Sequence, residues 1–356
     1  MYSKILVFSD IHFGEQLNSP LKLDIAKKNI EFITNIIQEQ GIKDIVFCGD
    51  WFHSRNSISV NTFFQSYEAL KNMMEQLPDA KLYMIVGNHD SYYKNTIKVH
   101  SLKSFEQISN VVVIDKPIKE IICGKSCLLA PWGTDIQQYK NKNFDLAFGH
   151  FDPNGAVLTG AISSGCAYGM EDLTEIAPLV FSGHYHISKS YPTEKGEVLM
   201  VGSPSQQNWG DIGTKRGCYI YDTKKEEYSF IENTQAPIHN KFLYSEMVET
   251  KKLPPKSEIE NNFIKLIIDC AYKYPTIQKL LEQLQKAKPC TLEPEYYYTD
   301  QVKLNLNNTT EKKHIKTHAE YIEDYVLNKM EDIEGIKKDK LLELVMSIYS
   351  RASTEE

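Results

Sequence analysis

The sequence predicts an α/β fold: two sheets lying face to face with helices outside, followed by a small α+β cap and a C-terminal helical pair. Three observations carry this reading. The first ninety residues alternate strand, helix, strand, helix, strand, the pattern of a parallel sheet covered by helices. From about Val111 to Asp222 the pattern changes to short strands and tight turns with little helix. Several strands, finally, are apolar runs that stop abruptly at glycine followed by aspartate, asparagine or histidine.

Ile5-Leu6-Val7-Phe8 opens the series and ends in Ser9-Asp10-Ile11-His12. Asp10 and His12 alternate across Ile11, so at strand period both side chains point to one side. A helix follows from about Leu21 to Gln40, with Ile25, Ile30, Ile33, Ile36 and Ile37 near helical spacing and Gly41 ending it. Asp44 to Cys48 repeats the buried-strand pattern and delivers Gly49-Asp50-Trp51-Phe52-His53. A second helix, about Ser59 to Gln76, leads to Leu82-Tyr83-Met84-Ile85-Val86 and then Gly87-Asn88-His89-Asp90. Right-handed crossovers put these three strand ends on one edge, where open α/β sheets bind ligands.

The strand series continues with Val111 to Val113, Ile118 to Ile122 and Cys127 to Leu129. Phe144 to Phe148 ends in Gly149-His150, and Leu179 to Ser182 ends in Gly183-His184-Tyr185-His186. Glu197 to Val201, Gly217 to Tyr221 and Tyr228 to Ile231 complete it. After Pro237 the composition shifts. Lys251 to Pro255 reads as a loop, Phe263 to Ile268 as a strand, Thr276 to Lys288 as a helix and Tyr296 to Leu306 as a strand again. A polar stretch, Asn307 to Lys313, precedes two helices, His314 to Met330 and Lys337 to Ser350. The second helix carries an apolar stripe of Leu341, Leu342, Val345, Ile348 and Tyr349. The domains expected are therefore 1–236, 237–306 and 307–356.

Bulk properties narrow the class. At 356 residues, 42% hydrophobic and 24% charged, the chain has the make-up of a globular protein with a sizeable core. No apolar run reaches the ~18 residues that span a membrane, and the N-terminus runs straight into a strand, unlike a signal peptide. The seven cysteines show no paired CxxC spacing and read as reduced thiols of a cytoplasmic protein. A net charge of −7 argues mildly against a polyanion ligand, but bound metal ions would change that local balance.

The chemistry lies at the strand ends. Asp10, His12, Asp50, Asn88, His150, His184 and His186 form a ligand set of oxygen and imidazole with no thiolate, suited to manganese, iron or zinc. Seven side chains exceed the need of one tetrahedral ion, so the natural reading is two ions sharing a carboxylate. His100, His239, His314 and His318 stand apart and read as structural. Gly124-Lys125-Ser126 looks like the end of a P-loop, but the required leading glycine position holds Lys119, so it reads as a turn and no ATP site is encoded. Tyr296-Tyr297-Tyr298 reads as strand packing, with stacking on bases as the alternative.

Asp-x-His, Gly-Asp, Gly-Asn-His-Asp, Gly-His and Gly-His-x-His, in that order, resemble the calcineurin-like metallophosphoesterases over residues 4 to about 231. Gly49-Asp50-Trp51-Phe52-His53, and Gly202-Ser203-Pro204 before Gly210-Asp211, look like the SbcD-type DNA-break nucleases. Gly87 to Asn95 and Gly149 to Gly155 look like the recombination endonuclease subunits of large T-even-type phages. The resemblance implies a two-sheet metallophosphoesterase sandwich and a division of ligands. Asp10, His12 and His186 would hold one ion, Asn88, His150 and His184 the other, and Asp50 would bridge. It implies manganese as the usual metal, His89 as general acid, Asp90 as its orienting group and His53 as a second catalytic histidine. It further implies a DNA substrate, a homodimer with contacts near residues 59–76 and 95–107, and a separate SMC-like ATPase docked on the C-terminal helices. A phage-encoded member would work in the host cytoplasm.

A phosphodiester repels nucleophiles, so its hydrolysis rests on positioning and charge neutralisation, and the departing sugar oxygen needs a proton. The residues alone leave two other readings open. One is a phosphomonoesterase or cyclic-nucleotide phosphodiesterase with the same site. The other is a non-catalytic scaffold that brings an ATPase to DNA ends.

Overall fold

A computed structural model of the chain describes residues 3–158, 161–162, 167–297, 323, 326–327, 338–342 and 344–346. Its strands, in chain order, are β1 (Lys4–Phe8), β2 (Asp44–Phe47), β3 (Lys81–Ile85), β4 (Val111–Ile114), β5 (Ile118–Ile122) and β6 (Lys125–Ala130). They continue with β7 (Leu146–Gly149), the two-residue pair β8 (Val157–Leu158) and β9 (Ala161–Ile162), β10 (Leu179–Ser182), β11 (Lys189–Pro192) and β12 (Glu197–Met200). The last are β13 (Gly217–Asp222), β14 (Glu227–Glu232), β15 (His239–Leu243), β16 (Phe263–Ile268) and β17 (Thr291–Tyr296).

Two six-stranded sheets result, ordered β14-β13-β1-β2-β3-β4 and β11-β12-β10-β7-β6-β5. In the first, β1 to β4 run parallel, and β13 joins β1 antiparallel. In the second, β6, β7, β10 and β12 run parallel between antiparallel edges. Three strands from the later, short-strand part of the chain join the first sheet. Val111–Ile114 completes the first sheet, and β13 with β14 returns to its other side, flanking β1.

Strand period decides which residue faces which layer. Ile5 and Val7 of β1 point inward with Val46, Tyr83 and Ile85 to meet Cys127, Leu129, Phe148, Phe181 and Leu199 of the second sheet. Leu6 and Phe8 point the other way, with Ile45, Phe47, Leu82 and Met84, onto Ile30, Ile33, Ile37, Leu70 and Met73. Those last residues belong to helices Pro20–Gln40 and Val60–Gln76. The first helix ends at Gly41, whose φ of 61° a side chain would strain; the second is capped by Ser59, whose hydroxyl accepts from the amide of Thr62 at 3.1 Å. The outer face of the second sheet is covered by loops and the short helix Met170–Thr174 through Phe144, Leu173, Ile176 and Ala177.

β15 and β16 pair in parallel, β17 lies beside β16, and helix Tyr274–Gln285 connects β16 to β17. The segment near residues 95–107 contains the 3-10 turn Ser101–Gln107; a strand forms at Thr291–Tyr296, and residues 298–306 of the expected Tyr296 to Leu306 strand lie outside the described residues. The small sheet is fastened to the sandwich. His239 donates its amide to Gln206 Oε1 at 2.8 Å, and its ring stacks on Phe263 at 4.5 Å and edges against Trp209 at 4.9 Å. Residues 1–268 and 272–295 thus make one compact unit, and residues 269–271 with 296–356 another. In the second unit, residues 338–342 and 344–346 are helical. The rest of the expected Lys337 to Ser350 helix, and the His314 to Met330 helix apart from residues 323 and 326–327, lie outside the described residues. So does Tyr298; Tyr296 and Tyr297 are 39% and 58% exposed.

Candidate metal centre

Every expected ligand sits just past a strand, in the turn where the backbone leaves the sheet. Asp10, His12, Asp50 and His184 all take positive φ, from 53° to 85°. That left-handed geometry is costly for residues with a Cβ and persists where surrounding contacts impose it. Here the amide of Asp10 donates to the Gly49 carbonyl at 3.0 Å and that of His12 to the Asp50 carbonyl at 3.1 Å, locking the first two loops together. Glycine is required beside them. A Cβ on Gly87 would lie 2.2 Å from Asp50 Oδ1, and one on Gly49 would lie 2.3 Å from His150 Nδ1.

Asp50 occupies the middle. Its Oδ1 accepts from the amide of His89 at 2.8 Å. Its Oδ2 lies 3.7 Å from His12 Nε2 and 3.4 Å from His150 Nε2. On the first side, His12 Nε2 is 3.1 Å from His186 Nε2 and 3.7 Å from Asp10 Oδ1. On the second, Asn88 Oδ1 is 2.7 Å from His150 Nε2 and 2.9 Å from His184 Nδ1. The ligand atoms of Asp10, His12 and His186 lie within 4.8 Å of one another, as do those of Asp50, His150 and His184.

This donor set fits divalent cations. Neighbouring ligand atoms around a small ion at 2.0–2.1 Å stand about 3 Å apart, the spacing found here between His12 and His186 at 3.1 Å. Asp10 Oδ2 is buried without a hydrogen-bond partner among the described residues. Asn88 turns its oxygen toward three acceptors; swapped, its nitrogen would donate to His184, His150 and Asp50, and its oxygen would accept from Arg55 Nη2 at 2.8 Å. The oxygen-inward orientation suits a cation among them.

Electrostatics point the same way. Burial alone would raise the Asp50 carboxyl, but the charges of His150 and His12 outweigh it and hold it well below the carboxylate range. Burial disfavours a charged His150, yet Asp50 carries it up to about 9. A cation held by the His150 ring would therefore take the place of a proton. Burial pushes His186 and His184 down to about 4, leaving both rings neutral at pH 7 and available as ligands.

His89 and His53 line the open side. Their rings stack at 5.7 Å and 25°, both within 5.5 Å of the His12 ring. His89 Nδ1 lies 2.6 Å from the His53 carbonyl. Burial, then neighbouring imidazole charge, sets His53 at about 4. Asp90 does not reach the His89 ring as expected. Its carboxylate accepts four backbone amides instead: Asp50 and Gly87 at 2.9 Å on Oδ2, Trp51 and Phe52 at 2.9 and 3.1 Å on Oδ1. It shapes the Asp50 loop, where the turn-forming habit of aspartate was the available signal.

Three further groups, to which the sequence assigned no role, lie beside the ligands. Asp152 Oδ1 lies 3.7 Å from His184 Nε2 and accepts from the Tyr185 hydroxyl. Arg216 and Asp211 form a buried pair beneath the His186 loop at 2.8 Å. The signal for Arg216 was its rarity: only Arg55, Arg216 and Arg351 interrupt an otherwise all-lysine positive charge.

Two sheets face to face, with oxygen and imidazole ligands gathered at the strand ends, define an α/β metallophosphoesterase. Residues 3–188, slightly more than half of the chain, match the calcineurin-like phosphoesterase family, and the protein belongs to it. Over 98% of its length it is 24% identical to exonuclease subunit 1 of Enterobacteria phage T4, 99% of which is covered. A solved structure of an archaeal phosphodiesterase is similar over 64% of this chain and 99% of its own, with 16% identity and a TM-score of 0.36. Among the described residues no helix is long and apolar enough to cross a membrane, and the six described cysteines are all free thiols.

Proposed function

We propose that the protein is a two-metal DNA exo- and endonuclease, the nuclease subunit of a complex with a separate SMC-like ATPase, acting on DNA ends in recombination and repair. The observation that carries this is Asp50 Oδ2, set between the His12 and His150 rings at 3.7 and 3.4 Å. Support for the substrate and for a partner comes from the relative named as an exonuclease subunit, similar along nearly the whole chain. The complete ligand set speaks against a vestigial scaffold.

Asp10, His12 and His186 would hold one ion, Asn88, His150 and His184 the other, with Asp50 common to both; manganese is the metal proposed. When bound, such a pair supplies charge neutralisation for the phosphoryl oxygens and a water acidified toward a pKa of ~7. His89 gives a proton to the leaving sugar oxygen. Its Nδ1 is engaged by the His53 carbonyl, which leaves Nε2 for the substrate. Burial lowers the His89 pKa, and the negative phosphodiester restores the imidazolium. His53 faces the same space and steadies the phosphate. Asp90 keeps Asp50 in place through the four amides it accepts.

Residues 237–306 form the DNA-contacting cap and residues 307–356 the ATPase-binding segment. Val60, 87% exposed, and Phe64, 56% exposed, provide apolar surface on helix Val60–Gln76 for a homodimer. A phage-encoded protein of this kind works in the host cytoplasm. The test is to incubate the purified protein and manganese with linear duplex and single-stranded DNA, and with p-nitrophenyl phosphate and its bis ester. Cleavage of DNA supports the nuclease; robust monoester turnover with intact DNA overturns it in favour of a phosphomonoesterase.

A further inference from the structure

We infer that the buried ion pair Arg216–Asp211, together with Gln207, is a positioning device for one ion only, the one assigned to Asp10, His12 and His186. The inference rests on the two-ion reading above. Asp211 is 0% and Arg216 4% exposed. Burying two charges is a poor route to stability, because their desolvation offsets their attraction, so a role in geometry is the better account. A planar guanidinium also holds several acceptors in fixed directions, which lysine does not.

The bonds show what is held. Arg216 Nη2 pairs with Asp211 Oδ1 at 2.8 Å. Its Nη1 donates to the carbonyl of His186 and, at 3.0 Å, to Ser203 Oγ; its Nε donates to Thr214 Oγ1 at 3.0 Å. The amide of Ser203 donates to the same His186 carbonyl at 3.1 Å. On the other side, Asp211 Oδ2 accepts the amides of Gln207 and Asn208 at 2.8 and 3.2 Å. Gln207 Nε2 then donates to the carbonyl of Asp10 at 3.0 Å. One ion pair thereby pins the backbone of two ligands from opposite ends of the domain. Asp10 has φ of 54° and His12 of 53°, conformations that relax when their restraint is removed. Among the described residues none of these bonds reaches Asn88, His150 or His184.

Arg216 and Gln207 act through the backbone carbonyls of His186 and Asp10. The test is manganese(II) titration of the full-length native protein and of Arg216→Lys and Gln207→Leu, followed by calorimetry and electron paramagnetic resonance. Native protein should take up two ions per chain and show a spin-coupled pair. Each variant should lose about 10–100-fold affinity in one binding step, the range for groups that support ligands from outside. The other step should stay unchanged, and the coupled signal should give way to isolated manganese. Circular dichroism without metal checks that each variant folds. Gln207→Leu removes no charge, so it decides the matter if Arg216→Lys unfolds. Two unchanged steps, or two steps weakened alike, overturn the inference while leaving the two-ion reading intact. A native protein that binds fewer than two ions overturns that reading, and the inference with it.

Discussion

Around Asp10, His12 and His186 the fold restrains carbonyls: Gln207 donates to Asp10 and Arg216 to His186. Around His150 it restrains an imidazole, and beside His184 it places a carboxylate. The Cys48 carbonyl lies 2.7 Å from His150 Nδ1, and Asp152 lies 3.7 Å from His184 Nε2. A backbone restraint fixes where a ligand starts, whereas a ring acceptor fixes its tautomer and the direction of its free nitrogen. The first trio thus depends on a loop about two hundred residues from Asp10 and His12, near residues 202–216. For His150 the second leans on Cys48, just past β2 of the facing sheet.

In the proposed two-ion arrangement Asp50 would be shared by both trios, so its loss should do the most damage. Asp50→Asn keeps the shape but removes the shared charge. We expect weakened binding of both manganese ions by calorimetry and no detectable cleavage. A variant that loads two ions normally and still cuts DNA would break the bridging assignment, and the division into two trios with it.

His89 lies outside both trios. His89→Gln should preserve both manganese steps and DNA binding while turnover falls roughly 10²–10⁴-fold. A comparable loss of metal would add His89 to the ligand set. The next effect is local to the second trio. Asp152→Ala should cost about 10–100-fold in one manganese step, and it should be the step that Gln207→Leu spares. If both variants weaken the same step, the contrast between the trios fails.

Much of this centre was legible because each ligand closes an apolar run. Strand period across Ile11 predicts Asp10 and His12 on one side, but both lie past β1 in left-handed backbone, so the turn and not the strand pleat sets their directions. Sheet membership was less legible. Val111–Ile114 and Gly217–Asp222 have ordinary strand patterns, and nothing local tells that one pairs with β3 and the other with β1. The contacts of Asp90 are hard to read for a similar reason. Its neighbour in sequence is His89, but its carboxylate satisfies four amides of loops brought together only by folding. Arg216 is the extreme case, since its contact with His186 spans thirty residues and a sheet boundary.

The smallest effect expected concerns His239, which ties the small sheet to Gln206, the chain neighbour of Gln207. Its amide and ring both meet Gln206 Oε1, at 2.8 and 3.3 Å. Burial, reinforced by the charge of Lys22, lowers its pKa from 6.5 to about 4. Between those values the unfolded chain binds the proton more readily than the folded one. Stability from the neutral ring is therefore complete above pH 6.5 and is lost as pH falls toward 4. His239→Phe keeps the stack on Phe263 and cannot titrate. Melting curves from pH 7.5 to 4.5, with chelator to remove metal from the ligand histidines, should show the native protein losing about 2–4 °C more than the variant. In manganese titrations over the same range, the native protein should lose affinity faster than the variant in the step that Gln207→Leu weakens, with no such gap in the other. Parallel melting curves would place the acid sensitivity elsewhere. An equal gap in both steps would show that the small sheet supports the centre as a whole.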